Sequence, residues 1–553
     1  MNSSAETYDI IIVGAGPAGT TLASRLARSA AHPSILLVEA GGPNDSKSAR
    51  IDAERWLHRF NADQNWGYWS VPQEHLDGLV VGLDRGKGIG GSSSINFSLW
   101  TWGPRDDYEE IARLVGDEDW DWEHASAQLK ELETYDGTVP EAPPGLEKYL
   151  NPSAKDHGKD GQVLLALPVK VGFPKTWENG SQTIADIWAA SGYPVNPDLN
   201  SGNPLGLSLS PNTAYRGARV TSSALLLEAP SNLQILTNVN VARVLFSSVD
   251  PLKAIGIETL EGATFLARAE VILSAGALNT PKLLLLSGIG PASESKEHSI
   301  AVRLDLPAVG RGLKDHHHIT PTWIRVPTST ERHTFYQSPS LQAAARAQWD
   351  ADGTGPLSEI SCTHTTGFFK SDLIYQSEEF KALPEERQRH LSQPTVPLYE
   401  VFLNGPSAEQ LISPSTAQPL ATVFIFVLNP ENSGTVTLSS SDPADPPLCD
   451  PKFFSSPFGR RVAVEATREA MAVTDSAEFQ KDTVGLLHGP KSRSEEDILD
   501  YWRERTGSTW HMCGTVRMGP EGEEGTGVDR EFRVVGTKGL RVVDLSVMPI
   551  LPK

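Results

Sequence analysis

Residues in three places of this chain have the type and spacing to do chemistry. The first is a glycine series, Gly14, Gly16 and Gly19, followed twenty residues on by an acid, Glu39. Glycines at G-x-G-x-x-G spacing permit a tight turn, bring backbone amides up to a pyrophosphate and let a helix pack close on a strand. A carboxylate at that distance can accept hydrogen bonds from both ribose hydroxyls and repel an added 2′-phosphate. The second is His511, in the loop TWHMCGTVRMG from Thr509 to Gly519. A neutral imidazole with an ordinary pKa of ~6.5 is suited to take a proton at physiological pH, although a lone histidine is more often structural. The third is His316–His318, in VGRGLKDHHH. Consecutive residues of an extended segment face opposite ways, so at most two of these rings can share an ion, and no metal site is expected. Cys513 follows His511 closely, but nothing marks it as a nucleophile.

These residues need elements to hold them. Tyr8–Val13 is a β-branched run suited to a buried parallel strand, a helix runs through Leu22 and Leu26 to about Ala30, and Ser34–Val38 is the next strand. This unit grips a dinucleotide, without separating FAD from NAD. RGKGIGGSSSIN, from Arg85 to Asn96, packs glycines and serines as a loop laid against a cofactor would. SAGALNTPKLLLLSGIG, from Ser274 to Gly290, switches from strand to helix through Gly276, with Pro281 near the helix start. GLRVVD, Gly539–Asp544, is a buried strand ending in an acid.

Between these stretches, Asp136–Gly161 is expected to be a linker or lid, and 181–192 and Ala218–Leu227 to be amphipathic helices. Leu233–Phe246 and Ala254–Ser274 supply further strands. From about Thr320 to Trp502 the pattern predicts a second domain on an antiparallel sheet. Its strands fall at Leu398–Leu403 and Ala421–Leu428, with a charged helix near Ser377–His390, a hairpin-like NSGTVTLSSSDP and a helix at Arg460–Val473.

The 553 residues, 39% apolar and 21% charged, suit a globular enzyme of several domains, and the net charge of −21 opposes binding to nucleic acid or to anionic membranes. No apolar run reaches the roughly 18 residues of a membrane span. The opening MNSSAET lacks a signal pattern, so a cytoplasmic protein is expected. Cys362, Cys449 and Cys513 have no C-x-x-C partner and suit a reducing compartment.

Taken together, these blocks resemble the glucose–methanol–choline (GMC) oxidoreductases from Tyr8 to the last residue. RGKGIGGSSSIN resembles the family's first signature, SAGALNTPKLLLLSGIG is similar to its second, and VGRGLKDH, PENSGTVTLSSSDPADPPLCDP and LRVVDLSVMP resemble further blocks. The resemblance implies an α/β fold with a Rossmann-like FAD-binding domain built from separated segments (1–150, 216–315 and 506–553), and a substrate domain with an antiparallel sheet (151–215 and 316–505). It implies FAD, with Gly14, Ala15, Gly16, Gly19, Glu39 and Ala40 holding the AMP half. Gly91, Ser92 and Asn96 would lie along the flavin, Val241 would meet the adenine, and Asp544 and Val547 would reach the ribityl and ring region. Members that attach flavin through histidine carry it where this chain has Ile95, so FAD is expected to be held non-covalently.

The resemblance also makes His511 the base that takes an alcohol's hydroxyl proton, while hydride passes to flavin N5 and on to oxygen or a quinone. The alternatives are a non-redox flavoprotein cyclase of the same family and a catalytically impaired truncated homologue. Family members usually carry a second histidine or asparagine, then a closing helix, beyond LRVVDLSVMPILP. This sequence ends at Lys553 before either, and weakened flavin binding and oxidation are the expectation.

Overall fold

The computed structural model describes residues 6–137, 144–150, 157–158, 169–174, 177–178, 180–215, 217–330, 332–362, 364–405 and 418–553. The opening strand, Glu6–Val13, pairs in parallel with Ile35–Val38 on one side and with Thr264–Leu273 on the other. Leu233–Leu236 extends the sheet beyond Ile35–Val38, and Leu540–Val542 joins the C-terminal half of Thr264–Leu273, again in parallel. The first half of Thr264–Leu273 instead carries an antiparallel pair of strands, Ala254–Thr259 and Val241–Phe246. Ile11, Leu36, Val271 and Val542 are fully buried, which is why these strands read as unbroken apolar runs. Parallel alignment also brings four strand ends to one edge, where Gly14, Glu39, Ser274 and Asp544 lie. Ligands of doubly wound sheets bind at such an edge.

Two features fix the helices that leave this edge. A Cβ on Gly19 would lie 1.9 Å from the Gly14 carbonyl oxygen, so only glycine lets helix Pro17–Ala27 start this close to its strand. In helix Gly276–Leu286, Pro281 cannot donate to the Ala277 carbonyl, and the Thr515 hydroxyl donates to that oxygen instead, at 2.7 Å.

The second sheet is antiparallel in the order Thr483–His488, Thr322–Arg325, Leu420–Val427, Tyr399–Gly405, His364–Phe369 and Gly206–Ser210. His317–Ile319 pairs with the end of Leu420–Val427 and with Gly507–Ser508. One face packs on helix Pro457–Thr474, and Val401, Leu403, Val423 and Ile425 share a core with Val462 and Ala466 of that helix. The alternate residues point the other way.

Two expected helices form differently. Ala218–Leu227 gives only a bridge strand and one 3₁₀ turn, Ser222–Leu226. There the chain spends its polar groups on the glycine-serine loop, with the Ser222 amide donating to Ser93 Oγ at 3.0 Å. The charged stretch 377–390 splits into Glu378–Lys381 and Glu385–Leu391, broken at Pro384. Of the expected linker Asp136–Gly161, residues 138–143, 151–156 and 159–161 lie outside the described residues. Within it Leu146–Tyr149 forms a 3₁₀ turn whose Leu146 and Tyr149 are buried in the core.

Gly19→Ala is expected to destabilise the chain by about 1–3 kcal/mol, seen as a lower thermal midpoint. An unchanged midpoint would contradict the close helix–strand contact.

Candidate active site

At the shared edge, Glu39 is buried and ties three backbone segments together. Its Oε2 accepts from Ala15 N at 2.8 Å, and its Oε1 accepts from Gly41 N at 2.9 Å and Gly88 N at 2.8 Å. Ala40 lies between these contacts, half-buried. Gly90 N donates to the Ala15 carbonyl at 2.8 Å, and a Cβ on Gly91 would meet the Gly16 Cα at 2.6 Å, so the glycine-serine loop rests directly on the first turn. Gly16 itself leaves space: a Cβ there would meet nothing nearer than the Gly91 Cα at 4.0 Å. No side chain caps the start of helix Pro17–Ala27, so its first amides are left for a ligand. Asp544 Oδ2 accepts from Gly276 N at 2.8 Å and Thr280 Oγ1 at 2.6 Å, closing the same edge across two strands. Val547 is buried one turn later, and Val241 opens the antiparallel strand beside Thr259. This bare helix start, with acids at neighbouring strand ends, fits the pyrophosphate and sugars of FAD.

The loop then leads into a cavity of about 700 Å³ lined by Ser92, Ile95 and Asn96 on one side and by the second sheet on the other. Ser92 Oγ accepts from Gly86 N at 3.1 Å. Arg219, only 1% exposed, donates to the Ser93 carbonyl at 2.8 Å, Asn96 Oδ1 at 2.9 Å and the Asn96 carbonyl at 2.5 Å, so a buried cation fixes this wall.

His511 projects into the same cavity. The strand pairs His317–Ser508 and His318–Gly507 and the mutual hydrogen bonds of Lys314 and Cys513 bind its loop to the KDHHH segment. Between them Trp510 takes φ +60°, turning the chain so that the next side chain, His511, shows much of its ring to the cavity while lying deep in the protein. Asp315 holds the loop by accepting from His511 N at 2.8 Å and from Ser508 Oγ. Burial pushes this carboxyl up to about 7, against the pull of Ser508, the His511 amide and Arg85.

His511 Nδ1 lies 3.0 Å from His316 Nδ1. A hydrogen bond between two imidazole nitrogens needs a lone pair on one of them, so at most one of the two rings carries a charge. Burial, reinforced by the positive Arg85, lowers His511 to about 4, and burial together with His511 sets His316 well below its ordinary value. Strand alternation separates the three histidines. His316 and His318 face the cavity, whereas His317 is buried among Phe453, Phe454 and Trp502. Among the described residues no group of three or more His, Cys, Asp or Glu is placed to hold a metal ion.

The sheet supplies the cavity floor in register. His318, Phe426, Glu400 and Phe368 form one cross-strand row, and Phe424, Phe402 and Thr366 form the next. The sequence marks His316 and His318 only as members of a run of three histidines, and it marks none of Glu400, Thr366 or the phenylalanines as a site residue. The available signal is period two: Glu400 with Phe402, and Phe424 with Phe426, alternate with core residues.

A dinucleotide edge that opens through a glycine-serine loop onto a separate cavity with a neutral histidine defines a cofactor-dependent oxidoreductase with a distinct substrate domain. The chain belongs to the GMC oxidoreductase family: the family's N-terminal model matches residues 8–318 and its C-terminal model residues 430–553. It is 30% identical to choline oxidase of Arthrobacter globiformis, over 99% of this chain and 91% of that protein. It is also 30% identical to alcohol dehydrogenase [acceptor] of Pseudomonas putida, over 98% of this chain and 92% of that one. Versicolorin B synthase of Aspergillus parasiticus is 29% identical over 99% of this chain and 85% of its own length. Among solved structures, a formate oxidase from Aspergillus oryzae superposes with a TM-score of 0.86 at 25% identity, covering 100% of this chain and 95% of that one. Among the described residues no helix is long and apolar enough to cross a membrane.

Burial holds His317 at about 3, below the ~6.5 of an unfolded histidine. Its contribution is therefore complete above pH ~6.5 and is lost as pH falls toward 3, with a slope of up to ~1.4 kcal/mol per pH unit. His317→Leu removes the ionisable ring and is expected to flatten the acid side of a plot of thermal midpoint against pH. An identical slope in the variant would contradict this.

Proposed function

We propose that the protein oxidises an alcohol to an aldehyde or ketone with FAD, His511 accepting the hydroxyl proton. The observation that carries this reading is a histidine kept neutral, open to the cavity and clamped from behind by Asp315 and His316. If His511 Nδ1 donates to His316 Nδ1, the Nε2 lone pair of His511 is free for the substrate hydroxyl, and the pair fixes that tautomer. His316 is then a positioning residue. FAD, when bound, supplies the hydride acceptor, and the acceptor beyond it is oxygen or a quinone.

For FAD, the first amides of helix Pro17–Ala27 and Gly16 would take the pyrophosphate, Glu39 the adenosine ribose, and Asp544 and Val547 the ribityl and ring end. Gly91, Ser92 and Asn96 would line the flavin. Ile95 offers no nucleophile for a covalent link, which supports non-covalent binding, and the three buried cysteines, none of them in a disulfide, fit an intracellular setting. The similarity to versicolorin B synthase favours a second reading, a flavoprotein cyclase without net redox chemistry.

The deciding experiment is anaerobic addition of primary alcohols to the purified yellow protein. Flavin bands that bleach establish alcohol oxidation; bands that persist with every alcohol while a product forms favour the cyclase. His511→Ala is expected to slow bleaching by roughly 10²–10⁴-fold. Because a lowered pKa keeps the ring unprotonated into acid, the acid limb of kcat/KM should lie below pH ~6.5, closer to 4. A limb at or above 6.5 would count against His511. Acid precipitation should leave the flavin in the supernatant, and flavin retained in the pellet would show a covalent link.

A further inference from the structure

We infer that the cavity is built for an alcohol with a flat apolar body and a protonated amine at its far end, with Glu400 as the residue that selects it. The inference rests on the reading of His511 as the proton acceptor, and adds to it a second recognition point on the opposite wall.

Glu400 lies within the antiparallel floor, with Phe426 directly across on one neighbouring strand and Phe368 across on the other. Its side chain lines the cavity and takes one hydrogen bond, from Thr366 Oγ1 to Oε1 at 2.6 Å. Among the described residues no cation pairs with it. Three of the four arginines and lysines that also line the cavity pair with other acids: Arg59 with Asp84 at 3.1 Å, Lys553 with Asp107 at 3.0 Å and Arg505 with Glu504 at 3.1 Å. Arg85 donates to the backbone carbonyls of Asp84 and Trp510.

A desolvated carboxyl without a counter-charge is expensive, and burial raises Glu400 to about 7. An incoming ammonium relieves that cost and ionises the group. The neighbouring rings add to the match, because Phe402, Phe424 and Phe426 offer π faces that attract a cation and exclude an anion. Spacing sets the length of the ligand. Glu400 is two strands from His318, and His316, which holds His511, is one pleat further along, so the backbones of Glu400 and His316 lie roughly 12 Å apart. A benzyl alcohol with a para aminomethyl group, hydrogen-bonded at both ends, bridges such a distance.

The test compares para-(aminomethyl)benzyl alcohol with the isosteric para-ethylbenzyl alcohol in flavin bleaching, for the wild-type holoenzyme and Glu400→Gln. A wild-type preference for the amine of about tenfold or more, collapsing toward parity in the variant, is the expected result. A wild type that favours the ethyl compound, or a preference unchanged in the variant, overturns the inference. Calorimetric binding of benzylamine, which has no carbinol, decides independently of turnover. Its Kd should weaken by about tenfold in Glu400→Gln, and an equal Kd overturns the inference. Benzylamine binding that depends on Glu400 in an enzyme that bleaches with no alcohol would leave the ammonium site at Glu400 standing, but would remove the proposed oxidation and with it the alcohol half of the inference. Bleaching with both alcohols, indifferent to Glu400, would do the reverse.

Discussion

The structure depends on a short antiparallel stitch, where residues 314–318 pair with 507–513. Its rungs, His317 with Ser508, His318 with Gly507 and Lys314 with Cys513, join the substrate sheet to the strand that returns to the nucleotide edge. Asp315 sits inside the stitch as a desolvated acceptor shared by Ser508 and the His511 amide. A carboxyl withdrawn from water must keep such partners, because losing them leaves a buried polar group unsatisfied. The backbone of His511 is therefore set by strand pairing and one acid, and His316 holds the Nδ1 side of its ring, which leaves the Nε2 side to meet a substrate.

The cavity derives its character from low polarity more than from charge. His316, His318 and His511 are all held neutral there, while Asp315 and Glu400 are both pushed up to about 7. Burial is the leading cause in every case. Burial thus shifts each group toward its uncharged form, and a proton moved inside such a wall meets little competition from water.

The nucleotide edge was legible in the sequence because its constraints are local. Gly14, Gly16, Gly19 and Glu39 act within one strand–turn–helix unit, and the strands that meet them are continuous apolar runs. The switch at Gly276 and the acid at Asp544 could be read for the same reason. The substrate sheet was placed only approximately, since LATVFIFV is apolar on both faces and hides which face meets the core. Glu400 and the cavity-facing phenylalanines gain meaning only through register across strands that are far apart in sequence. His316 was visible but looked like one of three equivalent rings, until alternation sent His317 into the core.

The hydroxyl of Thr515 fills the rung that Pro281 leaves empty in helix Gly276–Leu286. A helix near the middle of the chain thus waits for a residue close to its end. That one hydrogen bond ties the helix at the cofactor edge to the segment that carries the histidine loop, so a change at Thr515 reaches both regions.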